Sequence, residues 1–139
     1  MQAKKFGQKY ILRLDKGEEI VSTLKKFCEH YQIKLGIIAG IGATNKITVG
    51  LFATKAKEYH SQEFAGDFEI APLYGNVSTM NNETYLHLHV NFCDKEHKSY
   101  GGHLNSAIVS ATFEAVIEII DGQINRKYSE EIGLNLIKL

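Results

Sequence analysis

The stretch Tyr85-Leu86-His87-Leu88-His89-Val90-Asn91-Phe92 alternates apolar and polar or amphipathic residues without a break. Successive side chains of an extended strand point to opposite faces. Leu86, Leu88, Val90 and Phe92 therefore share one face, and Tyr85, His87, His89 and Asn91 share the other. Such a strand requires a packed core on one side and a polar or open space on the other.

Most of the remaining chain reads the same way. Tyr10 to Leu14 alternates as a strand, and the apolar stretches Leu35–Gly42 and Ile47–Phe52 follow, the first punctuated by glycines. Tyr59–Phe64 and Phe68–Val77 are further strands, the second ended by the turn residues Asn81-Asn82. Ala107–Ile120 is rich in Val, Ile, Thr and Phe, which favours strand over helix. Asp121-Gly122 is a turn, and Asn135–Leu139 alternates again. Helical spacing occurs once, where Ile20, Val21, Leu24, Phe27, Cys28 and Tyr31 form one apolar face of a helix over about 17–31. Asp15 with Glu18 three residues later resembles a capping box at its start. Many strands in hairpin order and one helix predict an α+β domain around a largely antiparallel sheet. With one proline, no low-complexity stretch and no internal repeat, residues 1–139 read as a single domain.

The polar turn Asp94-Lys95-Glu96-His97 should return the chain antiparallel, bringing His103 opposite or diagonal to His87 and His89. The first two lie about 7 Å apart along the strand. Three converging imidazoles suit zinc or a similar divalent ion, with a fourth position for water. The alternative is an ordinary polar strand face. The Gly101-Gly102 pair is expected to let the backbone bend so that His103 points inward. Glu69 and Asn91 are candidates to support the ligands, with Arg13 as a possible ion-pair partner of Glu69. Metal binding should weaken below roughly pH 6, as imidazoles near their reference pKa protonate. His30, His60 and His97 read as surface residues.

The pieces Gly75-Asn76-Val77-Ser78, Leu86-His87-Leu88-His89-Val90 and Gly101-Gly102-His103-Leu104 occur in that order, with Gly40-Ile41-Gly42-Ala43 and Phe68-Glu69-Ile70 before them. Together they resemble the plants-and-prokaryotes conserved domain, from about Tyr10 to Ile120. The resemblance implies an α+β domain assembled as a homotrimer. In plant relatives the domain follows AT-hooks, basic Arg-Gly-Arg motifs that enter the minor groove; this sequence has no Arg-Gly-Arg. The resemblance thus carries the oligomerising domain and not a DNA-reading arm. Plant members also contact partner proteins through a segment like Gly-Arg-Phe-Glu-Ile-Leu. The matching residues here are Gly66, Asp67, Phe68, Glu69, Ile70 and Ala71, with Asp67 in place of arginine and Ala71 in place of leucine. Phe68 and Ile70 also read as core positions on alternate sides of Glu69.

Charge limits the partners. Sixteen basic and sixteen acidic residues balance, so any DNA contact is expected to be weak, sequence-independent and salt-sensitive. No apolar run approaches the ~20 residues that cross a bilayer, and MQAKKFGQKY lacks the apolar core of a signal peptide. Cys28 and Cys93 match no disulfide framework, so a cytoplasmic protein without a membrane is expected. The sequence has no P-loop and no GxSxG elbow. Cys93 has no activating partner in sequence and reads as a small apolar residue. The functional expectation is a trimeric binding or regulatory module with a histidine-lined zinc site, open to a protein partner. The alternative is a metal-dependent enzyme of hydrolase or lyase type, with Glu69 or Glu114 as general base.

Overall fold

The computed structural model describes all 139 residues. The chain runs β1 (Gln2–Phe6), β2 (Lys9–Asp15), α1 (Ile20–His30), β3 (Gly36–Ala53), β4 (Glu58–Met80), β5 (Glu83–Cys93), β6 (Ser99–Ile119), β7 (Arg126–Ser129) and β8 (Leu134–Ile137). Every pairing between strands is antiparallel. The result is the mostly antiparallel sheet with one short helix that the alternation predicts.

Three strands are longer than the sequence pattern suggests. Residues 35–42 and 47–52 read as separate strands but form one 18-residue strand. Residues 59–64 and 68–77 likewise join into 23 residues, and Ser99 runs on unbroken to Ile119 over 21. The apparent breaks are register shifts, between Gly40 and Gly42 and between Thr44 and Lys46 on β3. A bulge adds a residue and bends a strand without ending it. Strand β6 pairs with three partners: β3 along His103–Ile119, β2 along Thr112–Glu118, and β5 along Ser99–His103. Strands β3, β4, β5 and β6 thereby close on themselves, with β2 and β1 extending the sheet outward.

The enclosed core holds Phe92, Phe113, Leu73 and Ile117, with Leu12 and Leu14 from β2. Helix α1 covers it with Ile20, Leu24, Phe27 and Cys28. Burial pushes the Cys28 thiol up to about 12, with a smaller push from Glu29, so it is an inert apolar filler. Phe64, Phe68, Phe92 and Tyr100 form an aromatic cluster with centroids 5.2–6.4 Å apart.

The helix starts later than the expected position 17. Only half of the anticipated box forms: Glu18 accepts the Asp15 backbone N–H at 2.7 Å, while the Asp15 carboxylate faces the N-terminal amine and Arg13. The cap is Glu19, whose carboxylate accepts the Val21 and Ser22 N–H groups at 3.0 and 2.6 Å. The same carboxylate accepts the Ala107 N–H of β6 at 3.1 Å, tying helix to sheet. Glu19→Ala is expected to destabilise the fold by about 2 kcal/mol, lowering the thermal midpoint by roughly 5–8 °C. An unchanged midpoint would show that the cap contributes nothing.

The hairpin β7–β8 docks beside the β3–β4 turn, with Lys57 Nζ donating to the Glu130 carbonyl and an isolated bridge joining Thr79 to Asn125. No helix of the chain is long and apolar enough to cross a membrane.

Candidate metal centre

The alternation of β5 places its side chains as its sequence requires. Leu88, Val90 and Phe92 are buried, and His87 and His89 project from the opposite face. The turn at 94–97 returns β6 so that His89 and His103 are directly paired in the ladder. His87 Nε2 lies 3.2 Å from His89 Nε2. The ring centroids are 5.0, 5.3 and 5.6 Å apart, and the three potential ligand atoms lie within 4.8 Å of one another.

Gly101 and Gly102 serve a different purpose from the expected bend. A Cβ at Gly101 would stand 2.6 Å from the Val90 carbonyl oxygen, and one at Gly102 would stand 2.7 Å from that of Gly50. The two glycines let β3, β5 and β6 approach closely, which seats His103 among its neighbours.

One pair of the three histidines already has the spacing that a tetrahedral ion requires. At a Zn–N distance of about 2.05 Å, two ligand nitrogens stand about 3.3 Å apart, close to the 3.2 Å between His87 and His89. The same spacing also suits an imidazole–imidazole hydrogen bond. Burial holds His87 down to about 4, helped by the charge of Arg126 and then by His103 and His89. Burial, with His89, also lowers His103. Both rings are therefore neutral at neutral pH, the form that binds metal.

This sets a pH dependence. A histidine whose pKa is depressed in the fold binds its proton more readily in the unfolded chain, so protonation favours unfolding. Stability of the metal-free protein should be complete above pH 6.5 and fall as pH drops toward about 4. His87→Gln should flatten that fall in denaturant titrations across the window; an equally steep fall would mean that other groups dominate it.

The cluster opens into a cavity of about 730 Å³. Tyr59 packs edge-on to His103 at 6.3 Å and donates its hydroxyl to Asn105 at 2.7 Å. Leu134, Leu136 and Ile137 of β8 line the cavity with apolar surface, as do Leu51 and Phe52. Arg126, at the start of β7, is 9 % exposed. Its Nε donates to Ser78 Oγ at 2.8 Å, Nη1 to the Asn135 carbonyl at 2.8 Å and Nη2 to Asn76 Oδ1 at 2.9 Å. Its guanidinium lies over the Tyr85 ring at 4.8 Å. No Asp or Glu lines the cavity, and no fourth protein ligand joins the histidines.

The other residues singled out in the sequence lie elsewhere. Glu69 is exposed and pairs with Cys93, four residues or roughly 13 Å along β5 from His89. Asn91 shares the histidine face but accepts the Ser99 hydroxyl at 2.7 Å and does not line the cavity. Arg13 pairs with Asp15 at 3.2 Å, not with Glu69, and Glu114 stands opposite Arg13 on β6, also outside the cavity. Neither carboxylate reaches the histidines as a base. Ile70 is buried and Phe68 packs on the core, leaving Gly66, Asp67, Glu69 and Ala71 exposed on that stretch. His30, His60 and His97 are exposed. Cys93 is half-buried, its thiol 3.9 Å from the Glu69 carbonyl. Arg126, Asn76 and Asn135 are polar residues of the cavity to which pattern reading assigned no role. The one signal for Arg126 was that it is one of only two arginines in the chain.

Residues 1–121 match the model of the Plants and Prokaryotes Conserved (PCC) domain. A candidate DNA-binding protein of Bacteroides thetaiotaomicron is 39 % identical, with a TM-score of 0.97 over 99 % of this chain and 96 % of that one. A plant- and prokaryote-conserved protein of Pyrococcus horikoshii is 33 % identical, with a TM-score of 0.87 over 96 % and 92 %. A metal-containing protein of Archaeoglobus fulgidus is also 33 % identical, with a TM-score of 0.88 over 97 % and 96 %. No curated protein matches the sequence.

Proposed function

This chain belongs to the Plants and Prokaryotes Conserved domain family, and from that premise we propose that it is a trimeric domain that binds a small molecule at a zinc ion held by His87, His89 and His103. The observation that carries this reading is the convergence of three imidazoles on an open cavity that offers no fourth protein ligand. A purely structural site is normally closed by four protein ligands, whereas an open position admits water or a ligand. The metal-containing Archaeoglobus relative supports the same reading. A bound zinc would supply Lewis acidity at the open position, and His87, His89 and His103 would hold it. That open position equally supports the second reading, a metal-dependent hydrolase or lyase. Its base would have to be something other than Glu69 or Glu114, which lie outside the cavity. Metal analysis and zinc titration test the centre: one zinc per chain is expected, and no uptake would overturn it.

The trimer is supported by an apolar outward surface on β2, β6 and β3, where Ile11, Val116 and Ile41 are 45, 36 and 59 % exposed beside Pro72. Such a surface is buried when copies assemble. Sedimentation should give three times the 15.6 kDa of one chain; a monomer at micromolar concentration contradicts the assembly. The Bacteroides relative supports some contact with DNA, and the balance of sixteen basic and sixteen acidic residues supports only weak, non-selective contact.

A further inference from the structure

Arg126 is a buried cation whose protein partners are all neutral. Ser78, Asn76 and the Asn135 carbonyl accept from it, and Tyr85 lies beneath it. Buried guanidinium groups are ordinarily paired with a carboxylate, because an uncompensated buried charge is costly. A guanidinium carries five N–H donors; three are used here, and two remain. The charge stands close to the histidines. Asn76, which accepts from Arg126 at 2.9 Å, is the direct ladder partner of His87. Neighbouring strands lie about 4.8 Å apart. Leu51, Phe52, Leu134, Leu136 and Ile137 line the same cavity with apolar surface. The cavity thus combines a fixed cation, three imidazole ligands, an apolar surface and no negative charge.

We propose that the cavity takes a small organic acid with a short apolar tail and a second oxygen beside the carboxylate, as in a 2-oxo or 2-hydroxy acid. The carboxylate meets the two free donors of Arg126, the adjacent oxygen faces the histidine centre, and the tail lies on the Leu–Ile wall. Guanidinium matches carboxylate geometry through paired donors, which a point charge does not. Inorganic phosphate satisfies the charge and leaves the apolar wall wet, so it fits less well. The second contact rests on the metal centre proposed above; the contact to Arg126 does not.

The test is calorimetric titration with 4-methyl-2-oxopentanoate, using zinc-loaded and metal-free protein. Inorganic phosphate and the uncharged 4-methylpentanamide are the comparison ligands. Zinc-loaded wild type should bind the oxo acid at least about tenfold more tightly than either comparison ligand. Arg126→Met should weaken the oxo acid about 30-fold while zinc uptake is retained. Asn76→Asp gives the guanidinium an internal carboxylate and should weaken the oxo acid about tenfold; it serves where Arg126→Met does not fold. Equal binding by a folded Arg126→Met protein, or by Asn76→Asp in its place, overturns the proposal. So does an amide that binds as tightly as the acid. If wild type takes up no zinc, the metal centre fails by itself. Titration of the metal-free protein then decides the clamp: binding abolished by the same substitutions upholds it, and no binding overturns it.

Discussion

Replacing any one of His87, His89 or His103 with alanine is expected to lower zinc affinity by at least about 100-fold. Loss of a residue that merely supports a ligand typically costs 10–100-fold, and these three would be the ligands themselves. Their potential ligand atoms lie within 4.8 Å of one another, so no pair can compensate for the third without losing a coordination position. His60→Ala and His97→Ala are the controls, since both residues are exposed and outside the cavity; they should titrate like wild type. The measurement is competition for zinc against a chelator of known affinity, with circular dichroism to establish that each variant is folded. If all three variants bind zinc as well as wild type does, the cluster is an ordinary polar strand face. The 3.2 Å contact between His87 and His89 is then a hydrogen bond between two imidazoles.

The largest stability effect is expected at Gly75, a residue that carries no chemistry. Gly75 lies opposite Leu88 in the β4–β5 ladder. A Cβ there would collide with the His87 carbonyl oxygen and stand 2.8 Å from Leu88 Cα. These are backbone atoms, so no side-chain rotation relieves the clash, and β5 itself must move. Gly75→Val is expected to cost about 3 kcal/mol and to lower the thermal midpoint by roughly 10 °C. Because the displaced segment carries His87 and His89, zinc affinity should fall with stability, although position 75 touches no ligand atom. A variant with both properties unchanged would show that the strand spacing tolerates a side chain.

Some of this site was legible from local sequence. Period-two alternation fixed the faces of β5, and the four-residue polar turn predicted that β6 returns with His103 beside His89. These inferences concern neighbours in sequence, where strand geometry leaves little freedom. The strand lengths were less legible. Gly40 and Gly42 look like punctuation, but the sheet absorbs them as a bulge, because pairing on both sides of β3 restores the ladder beyond it. The helix start was displaced by three residues because Glu19 finds the Ala107 N–H as well as its own helix, a tertiary contact that no local pattern encodes. Arg126 lies 48 residues from Ser78 and 50 from Asn76. Its meaning depends on what surrounds it after folding, whereas its sequence neighbours, Asn125 and Lys127, suggest only a polar loop. Glu69 illustrates the opposite error: it sits near the histidine strand in the ladder but too far along it, owing to register that the sequence does not reveal.

The closing of β3, β4, β5 and β6 on themselves has a consequence for how copies can join. Those strands spend much of their backbone hydrogen bonding within one molecule, and the sheet continues past β2 to end at β1. That outer border reads Gln2-Ala3-Lys4-Lys5-Phe6. Two lysines there oppose the docking of another strand, a common defence against runaway polymerisation. Copies are therefore steered away from adding strand to strand, which has no natural end. In the assembly proposed above, copies would meet instead at the outward surface around Ile11, Ile41 and Val116, where contacts related by rotation can close on themselves after a fixed number of subunits.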